Sequence, residues 1–197
     1  MLASPFRLYY SYWSMACLPL AVLAALMTWS FRCAMGEVLF LVWLQFVVYL
    51  LHQIEEHFWP GGFKQFINEK VFHSSIMNYP LDDTIVFFIN IPIIWILFPL
   101  GALAAQHIDL AIGSFLPVFG MVNAITHCIA ALVKRCYNPG LVVSLLLNIP
   151  TGYYTLKTML NAGVITHSVI GGMVLVSIVI HVGMVGCIIM RYRSVRS

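Results

Sequence analysis

Leu51-His52-Gln53-Ile54-Glu55-Glu56-His57 sets two histidines and two carboxylates late in an apolar run from about Gly36 to Trp59. That run is hydrophobic enough to cross a bilayer, where an ionised side chain at mid-depth costs roughly 2.5–3.5 kcal/mol. Such groups persist where they pair with one another, face the interior of a bundle, or hold a cation. The stretch therefore marks both the kind of fold and the place where chemistry is expected.

The rest of the chain has the same character. Of 197 residues, 61% are hydrophobic and 9% charged, against about 45–50% and about 25% in soluble domains. The apolar runs are continuous, whereas barrel strands alternate over about ten residues. These features predict an all-α integral membrane protein, a single bundle of about six transmembrane helices. The expected spans are 15–31, 36–59, 84–104, 110–133, 141–159 and 164–190. Tyr9, Tyr10, Tyr12 and Trp13 form an interfacial collar before the first span, which is too long for a signal-peptide core and reads as retained.

Between the second and third spans, Pro60-Gly61-Gly62 stops a helix. Apolar residues at 63, 66, 67 and 71 then recur with helical period opposite lysines and a glutamate, which predicts one short interfacial helix on the membrane surface. Asp82 and Asp83 suit the N-terminus of the third span, and Pro92 and Pro99 should kink it. Tyr137-Asn138-Pro139-Gly140 is a turn by composition.

Charge distribution excludes one class of partner and sets an orientation. The net charge of +3 comes from scattered basic residues with no polybasic arm or aromatic–basic interleaving, so nucleic acid is not expected. With six spans, Arg7, Lys64, Lys70, Lys134, Arg135, Arg191, Arg193 and Arg196 fall on one side, and only Arg32 and Lys157 on the other. The positive-inside rule then places both termini in the cytoplasm, in the plasma (inner) membrane. Five cysteines with no CxxC pair read as small apolar residues rather than a disulfide frame.

The intramembrane polar residues fall at one depth. His52, His127 and His181 each lie about two-thirds along spans running towards the cytoplasm, while Asn90 and Asn148 come early in spans running the other way. His52, Glu55 and Glu56 are at i, i+3 and i+4 and share a helix face, extended by Gln45 and Tyr49. His57 is about 140° round from His52 and belongs less naturally to that face. Asn123 with His127, and Ser177 with His181, repeat the i, i+4 spacing. Adjacent glutamates in a low-dielectric layer cannot both be ionised without positive charge between them. No lysine or arginine lies at that depth, which leaves a metal ion, protonated histidines or shared protons. Histidine with carboxylate suits iron, manganese or zinc, and Glu/His pairs projecting into a bundle are how di-iron carboxylate sites are built.

His52-x-x-Glu55-Glu56, followed by Tyr137-x-Pro139-Gly140 and with His127 as a further histidine, resembles the HXXEE family of membrane proteins. The resemblance implies a membrane location and site positions, but no reaction.

The leading expectation is thus a membrane-embedded metal site, of one ion or two, acting on a lipid-like or amphipathic small molecule, by oxidation if the metal is iron and by hydrolysis if zinc. Iron is favoured over zinc or manganese. His52, Glu55, Glu56 and His127 are the expected ligands, with Glu55, Glu56 and His127 also the catalytic candidates; His181 and His57 are further ligand candidates. Tyr49, Asn90, Asn123, Asn148 and Tyr137 would orient ligands or bind substrate. Two other readings stand beside it: a metal-free isomerase using Glu/His acid–base chemistry, and a proton- or cation-coupled transporter.

Overall fold

A backbone in hydrocarbon must satisfy its own N–H and C=O groups, which continuous apolar runs do by forming helices. In a computed structural model describing residues 9, 10 and 12–194, every regular element among them is helical. Arg7 and Arg196, part of the charge count above, lie outside the described residues. In chain order the main elements are α1 (Trp13–Ser30), α2 (Glu37–His57), α3 (63–71), α4 (Asp83–His107), α5 (Leu110–Lys134), α6 (141–161) and α7 (His167–Ser194), with a single helical turn, Arg32–Met35, between α1 and α2. Five of these, all but α3 and α6, are long and apolar enough to cross a membrane. The helix α6 occupies the fifth expected span without a break. Its second half carries Thr151, Tyr153, Tyr154, Thr155, Lys157 and Thr158, so its apolarity falls short of the others.

The prolines expected to kink the third span lie in or next to widened helical geometry. A proline lacks the N–H that would bond the carbonyl four residues back, and widening the ladder to five-residue spacing redistributes the orphaned acceptors. Pro92 sits in such a π-helical stretch, Ile91–Leu97, inside α4, and a second stretch, Ser144–Asn148, precedes Pro150 in α6. Pro99 lies at the start of the regular segment Phe98–His107.

Helix α2 is central, packed by α1, α4, α5 and α6, while α7 runs along α5 at the edge. The core is one continuous cluster that includes Val42, Phe46, Leu50, Phe98, Leu116 and Phe119 and extends to Trp13, Leu81 and Val86 near the HxxEE turn. At the other end the connections meet. Ser14 Oγ donates to the His57 carbonyl at 3.2 Å, and Arg191 reaches Asp82 at 2.7 Å. The Tyr192 hydroxyl donates to Phe72 O at 2.8 Å, and Tyr79 donates to Arg191 O. The start of α1 and the end of α7 therefore lie at the same end of the molecule.

The expected short helix is present as α3, with its apolar residues against the bundle: Phe66 is buried, and Phe63, Ile67 and Val71 line a cavity. A clamp from within the helix fixes the connection that follows it. Asn68 donates to Leu81 O and accepts from Leu81 N, both at 2.8 Å, which folds the 72–82 connection back over α3. Asp82 then caps α4, accepting from Ile85 N at 2.9 Å, and Asp83 pairs with Lys64 at 2.6 Å. Burial opposes the charge on Asp82, but the hydrogen bonds from Arg191 and Ile85 outweigh it and hold its carboxyl below the usual range.

Candidate metal centre

Residues four apart on a helix stand one above the other, so His52 and Glu56 meet at the C-terminal end of α2. Their closest atoms, Nε2 and Oε2, are 3.6 Å apart. The other oxygen of Glu56 faces α5, where His127 Nε2 lies 3.0 Å away. The two imidazoles approach edge to face with centroids 4.8 Å apart. One donor atom from each of His52, Glu56 and His127 falls within 4.8 Å of the others, and all three residues are buried. This group could hold a metal ion, supplying two imidazoles and one carboxylate.

What allows three side chains to crowd so closely is the fourth residue of the Tyr-x-Pro-Gly turn. Gly140 has φ +99°, a region closed to most side chains, and lies directly against the group. A Cβ built there would stand 2.7 Å from His127 Cε1, 2.8 Å from His52 Cε1 and 2.9 Å from Glu56 Cγ. Pro139 in turn sits over Gly62, the glycine that ends the turn after α2. The two proline–glycine turns are thus one packed unit over the centre.

Glu55 faces elsewhere. Its carboxylate accepts from Val142 N at 3.0 Å and Val143 N at 2.7 Å, and from the Tyr137 hydroxyl at 2.7 Å. It caps α6, where free N–H groups and the helix dipole favour an anion. Burial, with the hydrogen bond and charge of Glu55, pushes the Tyr137 hydroxyl above its ordinary range and keeps it a donor. The sequence reading gave Glu55 and Glu56 one shared face; their carboxylates go instead to α6 and to α5. Tyr137, expected to orient a ligand or bind substrate, donates to Glu55.

His57 lies outside the three-residue group but beside it. Its Nε2 is 3.4 Å from Glu56 Oε2, and Trp13 and Phe63 pack on its ring at 5.3 and 5.8 Å between centroids. His181 stands apart from the three-residue group: its Nδ1 bonds Ser177 O at 2.7 Å and its ring packs on Phe119 at 4.7 Å.

The expected orienting residues divide as well. Asn123 touches the group directly, its amide 2.9 Å from His52 Nε2, and Ser144 Oγ lies 3.5 Å from His52 Nδ1. Tyr49 packs edge-on against His52 at 5.3 Å. Asn148 is buried beside Gly120, and its amide nitrogen has no hydrogen-bond partner. Asn90 accepts from Gln53 Nε2 at 2.8 Å. Gln53 and Asn138, variable positions of the two motifs, were missed by the sequence reading. Fully buried Gln53 also receives the Trp95 indole N–H at 3.2 Å, and Asn138 donates to the His127 carbonyl at 3.3 Å.

A cavity of about 290 Å³ adjoins the group between α4, α5 and α7, roofed by α3. Glu56, His57, His127 and Asn138 give it one polar region, while Ile89, Ile93, Met184, Val185 and Ile188 make its walls apolar. A smaller cavity of about 180 Å³, lined by Ser14, Glu56, His57, Lys64 and Asp83, touches Glu56 from the side of α1.

A family model described as a protein of unknown function with HXXEE motif matches residues 43–155. Comparisons with curated proteins and with solved structures match nothing.

Proposed function

The chain belongs to the family of proteins of unknown function with an HXXEE motif, and on that premise we propose that it is a polytopic membrane protein binding one divalent metal ion through His52, Glu56 and His127. The ion would act on a lipid-like or amphipathic molecule held in the adjoining cavity. The observation that carries this reading is the buried group of three donors within 4.8 Å, opening on a mostly apolar cavity. One ion suits the arrangement better than two, because the Glu55 carboxylate is already engaged by three donors. Iron comes before zinc and manganese: two histidines, one carboxylate and open positions are the donor set of non-haem ferrous oxygenases, though the same donors also serve catalytic zinc. Iron would supply oxidative chemistry, zinc hydrolytic.

Six crossings, with α6 among them, and both termini in the cytoplasm complete the reading. Its support is the meeting of the first and last helices at one end, together with the outward-facing Leu175, Val176, Val179 and Val182 of α7 and Leu145 and Leu146 of α6.

Elemental analysis of protein purified without a metal-affinity tag tests the central point. Near-stoichiometric metal in the wild type, absent from Glu56→Gln, is the expected result. Well-folded, never-chelated protein free of metal would overturn the reading. That outcome would favour the isomerase alternative, for which the position of Glu56 between His57 and His127, at 3.4 and 3.0 Å, provides an acid–base pair.

A further inference from the structure

We propose that His181 selects the cavity's occupant, and that this occupant is a long-chain amphiphile carrying a hydrogen-bond donor, a hydroxyl or an amine N–H. The proposal rests on the reading above for where the reacting end sits. Binding through His181 itself needs no metal.

Helix α7 buries only Ser177 and His181 among its residues. The helix lines the cavity with Met184, Val185 and Ile188, all apolar, and with one imidazole, that of His181. Geometry fixes the proton on that ring. Its Nδ1 is 2.7 Å from Ser177 O, and a carbonyl can only accept, so Nδ1 carries the hydrogen. In the neutral imidazole Nε2 is then a bare acceptor. Nε2 is buried and has no partner in the structure, and no ion pair reaches His181 among the described residues. Phe119, packed on the ring with planes at 39°, holds its orientation.

A buried acceptor without a donor is unfavourable, and a ligand that supplies the donor removes that penalty. A hydroxyl or amine does so; an ether oxygen of the same shape cannot, because it too only accepts. Hydrocarbon on the remaining length of the molecule suits Ile89, Ile93, Val185 and Ile188. The site is thus matched to an apolar chain with one donor at the height of His181, rather than to plain hydrocarbon.

The experiment compares a long-chain primary alcohol, its methyl ether and the matching primary amine as competitors of a photoactivatable alkyl alcohol, using purified full-length protein and intact-mass readout. Wild type should bind the alcohol, the amine, or both about tenfold more tightly than the ether. His181→Phe should lose that preference while taking up the ether as wild type does, and His181→Gln, whose side-chain oxygen accepts, should recover part of it. Equal binding of all three by wild type, binding of none, or a preference that survives in His181→Phe would overturn the proposal. Metal content of the same preparations is read separately. Metal-free protein that prefers a donor leaves this proposal standing without the metal reading, and metal-loaded protein with no preference does the reverse.

Discussion

Glu55 and Glu56 leave the same turn of α2, and the regions they serve differ in kind. On the Glu55 side the carboxylate is met by two backbone N–H groups and a tyrosine hydroxyl, donors that complete its coordination and close a helix end. On the Glu56 side the neighbours are His52, His57 and His127, rings whose donor and acceptor roles change with tautomer and charge. A fully satisfied carboxylate stabilises structure. One surrounded by imidazoles, beside a cavity, can exchange a proton or a ligand. The same residue type, one position apart, is thus committed to architecture on one side and available for chemistry on the other.

The sharpest way to break this contrast is to neutralise each acid in turn. Glu56→Gln should abolish metal retention, read by elemental analysis, with metal content falling at least tenfold. Gly140→Ala should damage both sides at once, because its methyl group would press on His52, His127 and Glu56 at an unfavourable φ. Loss of about 3 kcal/mol in denaturant unfolding together with reduced metal is expected. A variant that melts and binds like wild type would show that the turn does not support the centre. Glu55→Gln should do the opposite of Glu56→Gln: metal content unchanged, with stability lower by about 2 kcal/mol as charge-assisted bonds to α6 are lost. Metal loss in Glu55→Gln with stability intact would reverse the assignment of the two acids.

The smallest effect lies at the end of the bundle, at Asp82 and Arg191. The folded protein holds the Asp82 carboxyl below its ordinary range. Its contribution is therefore complete above the unfolded value near pH 4 and lost as the pH falls through the lower folded value. The pair is partly exposed, so less than about 1 kcal/mol is at stake. Asp82→Asn should lower the neutral plateau of a plot of melting temperature against pH by a small amount, and its curve should meet that of the wild type at the acid end, where the contribution is already lost.

Much of this was legible in the sequence, for identifiable reasons. Helical period and shared depth bring His52, Glu56 and His127 together, since i, i+4 spacing and 1.5 Å rise are properties of any helix. Period alone could not separate Glu55 from Glu56, because both lie on the face of His52; the difference comes from α6, whose N-terminus sits over one of them. His57, about 140° round from His52, stays outside the three-residue group, as the helical wheel implies, and meets Glu56 as its chain neighbour. Gln53 and Asn138 carried no signal, for a polar residue at a variable motif position is silent until its partners, Asn90, Trp95 and the His127 carbonyl, are in place. The path of the connection after α3 depends on the side chain of Asn68, which clamps a loop that no periodicity describes.

Gly140 bears on the outcome of a reaction as well as on packing. Its backbone closes the side of the centre where His52 and His127 converge, while the larger cavity meets Glu56 and His127 from α4 and α7. A molecule held in that cavity would meet the group at Glu56 and His127, on the flank that the Gly140 backbone leaves uncovered, so its reacting atom would have to lie at the end of the molecule that faces these two residues.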